Sequence, residues 1–218
     1  MSCTAAPLLQ PGAHVTLTSY RARYPRHYDD VFDCIHRRLR DSGYATKLDL
    51  DGLIAWKHVR TARWMRDLNC ITEARVKEIT SDAFARATNA QRREALSPLP
   101  GFGAGTAFTS VLLAAWDPET YGVYDKFSLA ARVSVVTAAC SCSWYLLDTY
   151  EEHLRLMAYE LADQTQTSWF PRHVDMALYE MGWEADIEAR RDARRRSREE
   201  KRALRSPGLQ AGRRAATL

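Results

Sequence analysis

Leu99-Pro100-Gly101-Phe102-Gly103-Ala104-Gly105-Thr106-Ala107 is the stretch on which the reading of this chain turns. It lies between two segments that read as helices, Asn89 to Leu96 and Thr106 to Trp116. Pro98 and Pro100 stop the incoming helix. Gly101 and Gly103 admit positive φ and leave the main chain bare of side chains. Thr106 opens the next helix, whose first N–H groups have no internal partner. Bare amides and the positive end of a helix dipole make an anion site, and a phosphate fits it. A turn between two helices with no ligand satisfies the same residues, because short Gly-x-Gly strings are common.

Outward from this bend the chain reads as helix after helix. Val31, Phe32, Ile35 and Leu39 recur at helical spacing, with Gly43 placed to cap. Asp51 to Met65 reads as one helix through Leu53, Ile54, Trp56 and Val59. Thr72 to Ala87 reads as another, with Thr72 and Ser81 as candidate N-caps. Leu129 to Leu147 is apolar on most sides and predicts a central buried helix. Glu151 to Ala162 follows. Arg172 to Met181 is then opened by Pro171 and closed by Gly182. Ala185 to Arg205 is charged all round and reads as a helix outside the core. No segment alternates convincingly with period two; Val133, Val135 and Val136 are the best strand candidates. The expected fold class is therefore all-α. Residues 1–26 are expected as an irregular N-terminal arm, 27–183 as the helical domain and 184–218 as a basic helical or disordered tail.

Composition bounds the rest. A length of 218 residues suits one compact domain with a tail. No run of 18 apolar residues exists, which excludes a transmembrane helix as a reading. Met1 to Leu17 lacks a basic region followed by an apolar stretch, so no secretory signal is expected. The five cysteines are an odd number and scattered, which argues against a disulfide framework and for a reducing, cytoplasmic setting. From Glu184 onward there are 11 Lys and Arg against 6 Asp and Glu; the remainder has 20 against 21. A basic tail on a neutral body is either a non-specific phosphate contact or a solvated helix that aids solubility. His153 and His173 stand alone, so no metal site is expected, and no cofactor either. A serine hydrolase is unsupported, since no Gly-x-Ser-x-Gly occurs.

The bend resembles the hairpin of the helix-hairpin-helix DNA-binding motif, Leu-Pro-Gly-(Val/Ile)-Gly followed shortly by Thr-Ala. Leu99, Pro100, Gly101, Gly103, Thr106 and Ala107 match, and Phe102 replaces the usual Val or Ile. Tyr121-Gly122-Val123-Tyr124-Asp125 follows the second hairpin helix. In the helix-hairpin-helix DNA glycosylase superfamily an aspartate a comparable distance past the hairpin is the catalytic carboxylate, and Asp125 occupies that place. Asp117 to Tyr121, Trp56-Lys57 and Pro171 to Leu178 look like segments of 8-oxoguanine-glycosylase-like bacterial members. The resemblance covers about 45–183 and places the helix-hairpin-helix at 90–116. Bifunctional members carry a lysine just before the Thr-Ala pair. Here that position is Gly105, so amine-mediated β-elimination is not expected, and Lys57 and Lys126 are read as surface or phosphate-contacting lysines. The arginine usually found five residues past the aspartate is replaced by Ala130.

The resemblance implies a monofunctional DNA glycosylase acting on duplex DNA as a monomer. Asp125 would stabilise positive charge on the sugar and orient a water. Pro100, Gly101, Gly103, Gly105, Thr106 and Lys126 would contact DNA. Trp56, Lys57 and Tyr124 are the candidate pocket for a base flipped from the stack, and Trp64, Trp116 and Trp169 are further aromatic candidates, most of them expected in the core. Arg60 and Arg63 are either phosphate contacts or solvated. Base removal of this kind serves repair or defence against modified phage DNA. Two alternatives stay open: a non-catalytic helix-hairpin-helix DNA-binding protein, and a helical interaction protein whose bend is only a turn. Asp125 itself also reads as an N-cap for a helix from Phe127 to Ala139.

Overall fold

The computed structural model describes residues 7–57, 61–103, 106–137 and 147–205. Its helices, in chain order, are α1 (Ala13–Arg23), α2 (Asp30–Ser42), α3 (Lys47–Trp56), α4 (Thr61–Asn69), α5 (Glu73–Ala85), α6 (Asn89–Leu96), α7 (Ala107–Trp116), α8 (Lys126–Ala131), α9 (Leu147–Thr165) and α10 (Pro171–Arg205). Tight single turns precede α2 at Arg26–Asp29 and follow α8 at Arg132–Ser134. Among the described residues the extended pairing is a single antiparallel bridge between Leu9 and Val136, so the protein is all-α. No described helix is long and apolar enough to cross a membrane.

Local chemistry sets most helix starts. Thr46, Thr72, Thr88 and Thr106 are extended N-caps whose hydroxyls accept the N–H of Asp49, Arg75, Gln91 and Thr109. Each such cap contributes about 1 kcal/mol. Asp49 and Gln91 complete reciprocal capping boxes. Gly43 ends α2 at φ 74°.

Two apolar clusters form the interior. The first is drawn from α2 to α7 and the segment after α7, with Leu53, Ile54, Leu68, Leu96, Phe102, Leu112 and Tyr121 at its centre. The second joins α1, α8, α9 and α10 through Leu17, Val135, Tyr150, Leu154, Met157 and Leu178. Buried polar links cross between them. Arg93 of α6 pairs with Glu151 of α9 at 2.7 Å. Arg172 of α10 holds Asp29 at 2.8 Å and also pairs with Asp175. The Arg172 guanidinium lies over the Phe32 and Trp56 rings of the first cluster.

Several expectations change. The segment expected as an irregular arm contains α1, whose Ala13 and Leu17 are buried, and the Leu8 and Leu9 amides donate to the Glu160 carboxylate. With little more than those two positions facing inward, its apolar stripe is too narrow to read from sequence. Asp51 to Met65 divides between α3 and α4, and Ser81 lies inside α5. The continuous helix expected from Leu129 to Leu147 is not formed: α8 stops at Ala131, and Val136 pairs with Leu9 instead. Residues 138–146 of that expectation lie outside the described residues, as do 206–218 of the tail. Gly182 does not end a helix, because α10 runs through it to Arg205. A Cβ at Gly182 would come 2.2 Å from the Phe127 carbonyl oxygen. The glycine is there so that α10 and the first turn of α8 touch.

Candidate functional site

The bend between α6 and α7 is tied to the start of α7. Phe102 N–H donates to Leu99 O and Thr106 N–H to Gly103 O, each at 3.0 Å. The Thr106 hydroxyl donates to Gly101 O at 2.9 Å, and Thr109 Oγ1 lies 2.8 Å from Phe102 O. Leu99 and Phe102 are buried, whereas Pro100, Gly101, Gly103 and Thr106 are partly exposed. Among the described residues, the amides of Gly101, Gly103, Ala107 and Phe108 have no protein acceptor. Gly101 adopts φ 85°, and a Cβ there would stand 2.6 Å from the Trp64 ring. Gly103 is otherwise: its φ is not positive, and the nearest atom to an added Cβ is at 3.7 Å. The expected need for left-handed backbone therefore holds at Gly101 and not at Gly103. Gly105 and Arg60 lie outside the described residues.

From the end of α7 the extended segment Tyr121 to Asp125 runs back toward the bend. Tyr124 N–H donates to the Ser110 hydroxyl at 2.8 Å, one turn inside α7. The buried Tyr150 hydroxyl donates to Val123 O at 3.0 Å, and the Tyr121 hydroxyl reaches Asn89 at 2.6 Å. Asp125 thus sits beside the N-terminal turns of α7. Its Oδ1 accepts Phe127 N–H at 2.8 Å as the cap of α8. That helix has six residues and ends at Ala131, shorter than the helix expected to Ala139.

Asp125 Oδ2 is 2.7 Å from Lys57 Nζ. This corrects the reading of Lys57 as a surface lysine: the two side chains are 10% and 14% exposed. Lys57 is the C-cap of α3 and also donates to Tyr124 O at 3.3 Å. The pair therefore joins the first cluster to the strap that leads into the second. Among the described residues, two of the carboxylate's roughly four lone-pair sites are engaged. Lys126 is exposed, with its ammonium 4.6 Å from the Phe127 ring.

Of the other pocket candidates, Trp56 is half-buried. Its indole N–H donates to Tyr28 O at 2.8 Å, and its ring meets Phe32 with centroids 5.2 Å apart. Tyr124 packs edge-to-face on Tyr150 at 5.2 Å. Trp116 stacks on Phe84, and Trp169 is buried with Arg21 over its ring, so both serve the core. Trp64 flanks the bend, and Arg63 is exposed on the same helix, its guanidinium over the Trp64 ring. A groove of about 340 Å³ between α8 and α10 is lined by Lys126, Phe127, Ala130, Ser134, Met181 and Asp186. Trp56, Lys57 and Tyr124 do not line it.

A buried charge network lies behind the pair. Burial works against the Arg172 cation, but Asp175 and Asp29 more than offset that and raise its pKa. Burial holds the Asp175 carboxyl above its ordinary range, although Arg172 and Lys57 pull it down. Tyr179 is pushed up to about 12, by burial first and then by the Asp125 charge. Sequence reasoning missed this network and the partner of Lys57. The available signal was Arg172 and Asp175 set into the apolar run of Val174, Ala177 and Leu178, where unpaired charges are not tolerated. From Glu188 to Arg202 α10 is exposed, and Arg191, Arg194, Arg195, Arg198 and Arg202 share a face with Glu199. Among the described residues no cluster of three or more His, Cys, Asp or Glu could hold a metal.

No protein-family model, curated protein or solved structure matches this chain.

Proposed function

We propose that this protein is a DNA glycosylase of the helix-hairpin-helix kind, which hydrolyses the N-glycosidic bond of a modified or damaged base flipped out of DNA. The observation that carries the reading is the placement of Asp125. The segment that carries it is bonded to α7 through Tyr124 N–H and the Ser110 hydroxyl, and among the described residues the Gly101, Gly103, Ala107 and Phe108 amides have no protein acceptor. Amides at a helix start suit a backbone phosphate. A carboxylate next to the phosphate grip is suited to an anomeric carbon that gains positive charge as the bond to the base breaks. The arginine face of α10 supplies further phosphate contacts and a salt-dependent affinity. The setting is repair of the cell's own DNA or attack on modified bases in invading DNA.

A second reading is favoured by one observation: Asp125 caps α8 and pairs with Lys57, as a purely structural aspartate does. In that case the protein binds DNA through the bend and releases nothing. The experiment that separates the two incubates the full chain with genomic DNAs that differ in their modified bases. Released bases are then identified by mass spectrometry. One class of free base accumulates with the wild type and not with Asp125→Asn if the glycosylase reading holds. DNA retention by both proteins with no base released supports the binding module instead.

A further inference from the structure

We propose that the free end of α10 is a second DNA-binding element, whose arginine stripe lies along one phosphate row of a duplex on the side of the molecule turned away from Asp125. Helical spacing puts Arg191, Arg194, Arg195, Arg198 and Arg202 on one exposed face, with Glu199 at its edge. Among the described residues, Arg195 pairs with Asp192 at 3.3 Å, and the other four arginines have no ion pair. Like charges three and four positions apart on a helix repel one another. The stripe therefore destabilises its own helix until an anion meets it.

The phase of the helix sets where that anion lies. Gly182 is the point of α10 that meets the Phe127 carbonyl of α8. At about 100° per residue, the five arginines come about 120–220° round the helix from Gly182. Asp125 caps α8 through the Phe127 N–H. A duplex seated on Asp125 and the glycine bend thus lies on the side from which the stripe turns away. Glu184 is on the stripe's side and is taken by Arg23 of α1 at 2.8 Å. Past that ion pair the arginines stand clear of the body.

Length and chemistry select the occupant. Arg191 to Arg202 covers about 16 Å of helix. One strand of a duplex carries a phosphate about every 3.4 Å along the axis, so about five phosphates lie beside that length, one for each arginine. Guanidinium forks bind phosphate oxygens in pairs. The face presents no apolar side chain, which a protein partner needs at the centre of an interface and a membrane needs for insertion. That the duplex is DNA rests on the function proposed above; the grip on a phosphate row does not.

The test counts duplexes. The full chain is mixed with an excess of unmodified DNA duplex about one helical turn long. Native mass spectrometry at low salt then reads how many each chain holds. The variant combines Arg191→Gln, Arg194→Gln, Arg195→Gln, Arg198→Gln and Arg202→Gln; glutamine is a good helix former at exposed sites, and circular dichroism establishes the fold. The wild type holds two duplexes and this variant one. Arg40→Gln combined with Arg75→Gln, exposed on α2 and α5, still holds two. The inference is overturned if the wild type and the stripe variant hold the same number, or if the α2 and α5 control also loses a duplex. It is equally overturned if polyglutamate displaces the extra duplex as readily as unlabelled duplex does. One duplex on the wild type and none on the variant keeps this inference and removes the bend as a DNA site, and the proposed function with it. Base release by the wild type alongside equal counts removes this inference and leaves the proposed function standing.

Discussion

Between Asp30 and Val123 the chain packs on itself around one apolar cluster, with α7 returning against α2 and α3. The other half is assembled from the chain's two ends: residues from Leu8 to Leu17 meet residues from Tyr124 to Met181. The first half is closed by threonine caps and apolar side chains. The second is fixed to it by buried charge, through Arg172, Asp175, Asp29, Arg93 and Glu151. The Lys57–Asp125 pair belongs to this second kind of contact. The difference teaches that the site is a product of long-range polar docking, not of the bend alone.

Breaking the main polar link gives the largest effect. Arg172→Met leaves Asp29 and Asp175 buried without their cation and costs about 3–5 kcal/mol. Urea unfolding followed by tryptophan fluorescence reads it, and a loss below about 1 kcal/mol removes the claim that charge holds the halves together. Gly182→Ala is next. Its Cβ meets the Phe127 carbonyl, so α10 and α8 must separate, at about 1–3 kcal/mol. Gly103→Ala, with no contact inside 3.7 Å among the described residues, is the matched control in the first half and leaves the unfolding midpoint where it was.

Acid gives the most selective change. The His173 ring accepts Phe170 N–H at the start of α10, and its pKa is lowered to about 4, by burial first and then by Arg21 and Arg172. Unfolded, the ring takes up its proton near pH 6.5, so the unfolded chain binds more protons between those values. Stability therefore falls as pH drops from about 6.5 toward about 4. His173→Gln, which can still accept the amide, shows a shallower fall over the same window. Equal slopes for the two proteins contradict the assignment.

Legibility followed the same division. Asn89–Leu96 is the helix its sequence predicts, and Thr72 and Gly43 act as the expected caps, because these signals are local. In the second half local signals misled. Gly182 reads as a stop, yet it marks a close approach to a backbone far away in sequence. Leu129 to Leu147 reads as one apolar helix, yet Val136 is taken by Leu9. Asp125 was legible as a cap, since that role depends on its immediate neighbours. Lys57 was not, because its partner stands 68 positions onward and no local pattern announces it.

Single-turnover base release at saturating protein tests the central claim most directly, with wild type and Asp125→Asn compared on the same modified duplex at equal DNA occupancy. Loss of the carboxylate next to the sugar predicts a rate lower by about 10²–10³-fold, with binding little changed. Equal rates for the two proteins would contradict the account.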